Sequence, residues 1–244
     1  ELIHKMERIT AKSKVPAMKF LGVYFDPSLN FQYHVEKIFS KISLGLYMLR
    51  TVKNTLNQKA LKALYYTLIH CHLVYAIQIW SCCSKKLLKD LFSKQKMAIR
   101  IVSGLKYNAH TEPTFKKLGI LPLPSLTEYF VIQFMQRFTQ GYLPMIFNNT
   151  WITNAVRRGE GRDLAALRND AELYIPPART TQTESHPLTN FPRTWVAMAE
   201  EDAELCFIRN KSEFDRKLKK HLLSKLSPVV ICNRLLYCPS CNNH

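Results

Sequence analysis

The sequence predicts a mainly α chain with a short β element near its N-terminal end and a mixed, partly extended C-terminal region. Three observations carry this. Apolar residues recur at helical spacing through three long stretches between residues 31 and 103. Phe20 to Phe25 reads as one short apolar strand, stopped by Asp26-Pro27-Ser28. Glycine is scarce, 7 in 244 residues, too few for a turn-rich all-β fold. Neither G-x-G-x-x-G nor G-x-x-x-x-G-K-[ST] occurs, so no phosphate-cradling loop of those kinds is present.

A lone strand leaves its backbone groups unpaired, so 19–25 needs a partner, and "ELIHKMERI" at 1–9 is the candidate within the sequence. The first helical stretch, 31–53, places Val35, Ile38, Ile42, Leu46 and Leu49 on one side. Asn57 is a suitable N-cap for a second helix over 58–80. That helix is apolar on most faces, as expected at the centre of a bundle. His70 and His72 fall inside it. They lie two positions apart, on different faces, and read as core or boundary residues and not as a metal pair.

The third helix, 84–103, carries the clearest pattern, with Ser84 as cap and Gly104 as stop. At 100° per residue, Leu87, Leu88, Leu91, Phe92, Ala98, Ile99 and Val102 occupy an arc about 140° wide. Lys85, Lys86, Lys89, Lys96 and Arg100 occupy a separate arc about 100° wide. Asp90 is the only acid in the helix, so no ladder of i,i+4 ion pairs balances the cations. A stripe of this kind can follow a phosphate backbone.

Further along, Thr111 suits an N-cap and Gly119 a stop. "LPLP" at 121–124 reads as a stiff connector, and Ser125 to Glu128 as a capping box opening a helix that stops at Gly141. "IPPARTTQTESHPLTNFPRTW" reads as an extended loop or arm. A last helix is expected over about 212–226, capped by Ser212, with Phe214, Leu218, Leu222 and Leu226 inward.

The formal net charge is +17 and lies mostly in the first half. Residues 1–122 hold twenty Lys/Arg against six Asp/Glu; residues 123–244 hold fifteen against twelve. Such an excess favours a polyanion, nucleic acid before an anionic membrane. Seven cysteines, an odd number, without a secretory signal peptide point to a reducing intracellular compartment. No run of 18 apolar residues occurs, so no membrane partner is expected.

Catalytic signatures are missing: no G-x-S-x-G, no H-E-x-x-H and no credible Ser/His/Asp set. Glu200, Glu201, Asp202 and Glu204 in "MAEEDAEL" read as the solvated face of a helical turn. At the C-terminus, Cys232, Cys238, Cys241 and His244 form C-x5-C-x2-C-x2-H. These four ligands suit a closed tetrahedral structural zinc, and the alternative reading is a cysteine-bearing disordered tail.

"KFLGVYFDPSLNFQYHV" resembles the primer-grip hairpin of reverse transcriptases from non-LTR retrotransposons, mobile elements of the LINE or jockey-like kind. "LNQKALKALYYTLIHCHLVYAIQIWS" and "LFSKQKMAIRIVSGLKYNAHTEPTFKKLGILPLPSL" are similar to the helical thumb of those RNA-directed DNA polymerases and the segment beyond it. The resemblance covers residues 15–150; the Cys/His tail is like their zinc-binding tails in kind but not in spacing.

The resemblance implies a primer-grip-like β-hairpin within 1–30 and a thumb-like helical bundle over 31–145; the residue pattern itself adds a polar, Pro-containing connector over 146–211 and a basic helix with a Cys/His tail over 212–244. It implies an RNA/DNA template–primer duplex as partner, held by backbone and shape. The candidate contacts are Lys19 and Gly22 in the hairpin, Lys85, Lys86, Lys89, Lys96 and Arg100 on the third helix, and Lys106 just beyond it. The catalytic Mg2+ ions of the family sit on aspartates of a palm that precedes the primer grip, in an aromatic-x-Asp-Asp turn. That motif does not occur here, so the chain is expected to be inactive alone, to work with fingers and palm of the same polypeptide, and to reside in nucleus and cytoplasm as a ribonucleoprotein. A second reading stays open: a non-enzymatic basic helical module, a domesticated or decayed retroelement piece, that binds an acidic protein or nucleic acid.

Overall fold

The computed structural model describes residues 17–152 and 173–226. They are mainly helical, with one short antiparallel hairpin at the N-terminal end and a mixed C-terminal region. The chain divides into two compact units, Glu1–Thr114 and Phe115–His244.

In the first unit, β1 (Met18–Phe20) pairs with β2 (Val23–Phe25) in the register Met18↔Phe25, Lys19↔Tyr24 and Phe20↔Val23. The single strand expected over Phe20–Phe25 is therefore two. The stretch folds back at Leu21 and Gly22, both at positive φ (46° and 84°), the conformation of a tight two-residue hairpin turn. Residues 1–15, the expected source of a partner strand, lie outside the described residues.

Leu21 is an unfavourable residue for that conformation. Tyr75 offsets the strain by donating its hydroxyl to the Leu21 carbonyl. A Cβ on Gly22 would stand 3.3 Å from the Tyr75 ring.

Asp26 ends the hairpin and turns the chain. Its carbonyl accepts from Leu29 N–H at 3.0 Å and its Oδ1 from Asn30 N–H at 3.0 Å. Helix α1 (Gln32–Val52) follows and buries Val35, Ile38, Ile42, Leu46 and Leu49, the face its periodicity defines. His34 is buried beside them. Its Nδ1 accepts from Tyr24 N–H at 3.4 Å, which ties β2 to α1, and its ring meets the edge of Trp80.

The Asn57 side chain caps α2 (Gln58–Tyr65) by accepting from Ala60 N–H at 2.9 Å. A π-turn (Tyr66–His70), α3 (Cys71–Val74) and α4 (Ile77–Trp80) follow. Leu61, Tyr65, Ile69, Leu73, Ile77 and Trp80 are all buried. A four-residue repeat drifts around a helix of 3.6 residues per turn, and the widened π-turn takes up part of the drift.

The unbroken helix expected over 58–80 is interrupted where Tyr75 becomes extended and Ala76 turns to φ 52°. The Tyr75 carbonyl accepts from Trp80 Nε1–H at 2.8 Å. This break is what brings Tyr75 to the hairpin.

Helix α5 (Lys85–Val102) starts at Ser84, whose Oγ accepts from Leu87 N–H, and ends before Gly104 at φ 64°. It packs its Leu91, Phe92, Ala98, Ile99 and Val102 face against α1 and α2. Gln95 is fully buried among these and donates to the Tyr65 hydroxyl at 3.0 Å. Helix α6 (Glu112–Leu118) starts directly after Thr111 and ends at Gly119, as the sequence pattern requires.

The second unit is organised by α7 (Leu123–Thr139), which ends at Gly141 as expected. Its start is earlier than the sequence suggests: Pro122 occupies the cap and Pro124 the first turn, so Ser125 is a buried helical residue and no capping box forms.

The segment expected to be extended from 175 to 195 is so only at its beginning. It becomes helical at α8 (Thr181–Ser185) and α9 (Pro187–Glu201), although Pro192 lies inside α9. A proline there removes a backbone hydrogen bond. Burial of Phe191, Trp195 and Met198 outweighs it. The 146–211 connector thus contains a 15-residue helix that packs on α7.

α10 (Ala203–Cys206) leads to α11 (Lys211–Ser224). α11 is capped by Asn210, whose side chain accepts from Glu213 N–H at 3.1 Å, and not by Ser212. From α7, Gln136 donates to the Ile208 carbonyl at 2.8 Å and Gln133 to Asp215 at 2.5 Å, and Gln140, just past the helix, donates to the same Ile208 carbonyl at 3.1 Å.

The acidic turn at 200–204 is only partly a solvated face. Glu201 pairs with Lys225 and, at 3.3 Å, with His221; Asp202 lies 3.5 Å from the same imidazole. Phe134, Phe138, Trp151 and Phe191 form an aromatic cluster with centroids 5.1–5.9 Å apart, Trp151 lying nearly parallel to Phe191.

Two expected outcomes follow from the first unit. A Cβ at Gly45 of α1 would sit 2.8 Å from the Leu68 carbonyl oxygen. Gly45→Ala should therefore lower stability by roughly 1–3 kcal/mol, read as a lower urea midpoint at unchanged slope. Burial, and secondarily Lys41, push the His34 imidazole down from 6.5 to about 4. The native state holds it neutral while the unfolded chain takes up the proton, so stability falls as pH drops through the interval from 6.5 toward 4. The melting temperature should drop more between pH 7 and pH 5 in the wild type than in His34→Leu.

Candidate nucleic-acid interface

Residues 17–114 carry fourteen Lys/Arg and four Asp/Glu. At most four of those cations can be matched one to one by carboxylates within residues 17–114. Two of the four acids also serve the local fold, Asp26 in the turn and Glu36 as acceptor from Gln32 Nε2. The second unit is arranged differently: Glu184, Glu201, Asp202 and Glu213 all pair with basic side chains of that unit.

The sequence-derived stripe lies on α5 because the opposite face of α5 is the packed one. Lys85 and Lys86 are exposed, and Lys89 and Lys96 are half-buried. Lys96 keeps its ammonium 4.5 Å from the Phe92 ring centroid, an apolar stem along the helix with its head toward water. At 18 residues, α5 is about 27 Å long. The stripe is therefore long enough to meet several phosphates of one strand, which are spaced roughly 3.4 Å apart along B-DNA.

Arg100 has a further task. Its Nε donates to the Ala109 carbonyl at 2.9 Å and holds the loop that follows α5. Of the eight residues the sequence nominates, Arg100 is thus partly committed to the fold. Gly22 is present for conformational and steric reasons, since it needs positive φ and faces the Tyr75 ring. Lys19 is exposed on β1, opposite Tyr24, with its ammonium 5.9 Å from that ring. Lys106 is exposed on the loop held by Arg100.

The hairpin lies toward the N-terminal end of α5. Burial raises the Cys82 thiol, and the Asp26 carboxylate adds to that shift. Asp26 directly follows β2, and Cys82 lies three residues before Lys85.

One set of exposed residues escaped the sequence reading. On α1, Lys37, Lys41, Leu44 and Met48 share an outward line, with Tyr47 beside it; all five are exposed. Lys37 sits 4.9 Å from the Tyr33 ring, and Lys41 helps burial to lower the His72 imidazole. The 100° projection used on α5 would have found this face. Lys94 of α5, outside the sequence-derived arc, lies over Phe39 of α1 at 4.5 Å.

Cys232, Cys238, Cys241 and His244 lie outside the described residues. Among the described residues, no group of three or more His, Cys, Asp or Glu side chains is placed to hold a metal, and Cys71, Cys82, Cys83 and Cys206 are free thiols. No single described helix is long and apolar enough to cross a membrane.

No protein-family model matches the chain, and neither a curated protein nor a solved structure is significantly similar to it.

The geometry separates the cations by role. Arg100→Ala should lower stability by about 1 kcal/mol through loss of the Ala109 bond. Lys86→Ala should stay within about 0.5 kcal/mol of wild type in the same chemical denaturation experiment.

Proposed function

We propose that this chain grips a nucleic-acid duplex through its first unit, by backbone and shape, as the primer-grip and thumb part of a non-LTR retrotransposon reverse transcriptase. The single observation that supports the reading best is the one-signed face of α5 in a unit whose residues 17–114 carry fourteen basic and four acidic side chains. A solvated helix face ordinarily mixes signs, whereas a phosphate track requires one sign over many ångströms.

In this reading Lys85, Lys86, Lys89 and Lys96 contact phosphates of an RNA/DNA template–primer duplex. The hairpin around Lys19 lies at the α5 end where a primer terminus would be placed. Arg100 shapes the loop at the other end and presents Lys106. Contacts go to the backbone, because a polymerase that copies any sequence cannot read bases. Polymerisation would require carboxylates supplied by a palm, since no aromatic-x-Asp-Asp motif occurs in the sequence.

The test is the salt dependence of binding to a hybrid duplex, measured by fluorescence anisotropy. Affinity should fall steeply with salt and be independent of sequence. Changing Lys85, Lys86, Lys89 and Lys96 to Gln together should flatten the log–log slope by roughly 3.5, about 0.9 per lost phosphate contact. An unchanged slope with unchanged affinity would place the interface elsewhere.

A further inference from the structure

We infer that Tyr107 is a stacking platform for an unpaired base at the end of the duplex held along α5. The inference rests on the duplex-binding reading above and extends it from phosphate contacts to a base contact.

Tyr107 is 81% exposed, the most exposed large hydrophobic side chain among the described residues of the first unit. Unlike the apolar residues of a frayed terminus, it stands on a loop whose backbone is fixed. Leu105 N–H donates to the Arg100 carbonyl at 2.9 Å, and Ala109 N–H donates to the Lys106 carbonyl at 3.1 Å. Arg100 Nε donates to the Ala109 carbonyl at 2.9 Å, and Gly104 supplies the left-handed turn off the helix. Three hydrogen bonds thus hold the few residues around one exposed aromatic ring.

The setting identifies the occupant. The loop continues directly from the C-terminal end of the cationic stripe, and Lys106, exposed, immediately precedes Tyr107. A negatively charged chain lying on Lys89 and Lys96 therefore arrives at this loop. There it meets a cation for its phosphate and an aromatic face for its base.

An aromatic ring next to a phosphate-binding cation is the minimal unit of single-strand recognition, and it tolerates every base because each has a π-face. Paired bases inside a duplex are stacked on one another and offer no free face. The proposed occupant is accordingly the first unpaired nucleotide beyond the duplex end, and the residue contributes no sequence preference.

The experiment uses the full chain and two labelled ligands, a blunt hybrid duplex and the same duplex with a short single-stranded tail. The wild type should bind the tailed duplex more tightly, by roughly five- to a hundredfold, the range of one base stacked on an aromatic side chain. Tyr107→Ala should abolish that advantage and leave the blunt-duplex affinity unchanged, while Tyr107→Trp should retain the advantage and show indole quenching on addition of the tailed ligand.

A tail advantage that persists in Tyr107→Ala overturns the inference, as does a wild type that binds both ligands equally. In those two cases the blunt-duplex binding still stands, and the reading of α5 with it. A wild type that binds neither ligand overturns both.

Discussion

The face that α5 buries against α1 and α2 decides where every cation of that helix goes. Leu91, Phe92, Ala98, Ile99 and Val102 are inside, and full burial of a large apolar side chain is worth about 1.5–3 kcal/mol. Turning the helix by one residue would bring these out and drive Lys85, Lys89 and Lys96 toward the interior, where an unpaired ammonium is far more costly than the gain from any surface contact. The buried bond from Gln95 to Tyr65 fixes the same rotation by chemistry, because a displaced Gln95 would leave two polar groups unsatisfied.

The rest of the first unit follows from that packing. With α5 on one side of α1, the π-turn closes on α1 at Gly45, near enough that no side chain fits. The chain then breaks at Tyr75 and Ala76, and the break directs Tyr75 onto Leu21 and Gly22 of the hairpin. His34 ties the hairpin to α1 from the other direction. An exposed cationic face and a small β-hairpin are thus held in one packed unit, and the net positive charge follows from composition alone. In the second unit, Gln136 of α7 engages the Ile208 carbonyl ahead of α11, Gln133 engages Asp215 of α11, and Glu184, Glu201, Asp202 and Glu213 pair with basic side chains of the same unit.

Much of this is legible in the sequence. The inward residues of α1, the caps at Asn57 and Ser84 and the stops at Gly104, Gly119 and Gly141 follow from local rules that nothing in the tertiary structure opposes. What escapes is set by contacts distant in the chain. No local rule puts Leu21 in a left-handed turn; the Tyr75 hydroxyl, 54 positions later, supports it. The helix through Pro192 forms because Phe191, Trp195 and Met198 are buried, against the preference of the proline. Ser125 fails as a cap because two prolines start α7 earlier. At the candidate interface the stripe is a periodicity and can be read off directly. The anchoring role of Arg100 cannot be, because its partner is a backbone carbonyl in a loop.

The central claim is that the first unit recognises a nucleic-acid duplex by phosphate spacing and shape, and does not simply attract negative charge. It is tested most directly by competing polyglutamate, matched in charge concentration, against a labelled RNA–DNA duplex bound to the full chain. A duplex held by its regular geometry should resist displacement by polyglutamate and yield to unlabelled duplexes of unrelated sequence. Displacement by polyglutamate as effective as that by duplex would contradict the claim and assign the basic face to acidic proteins.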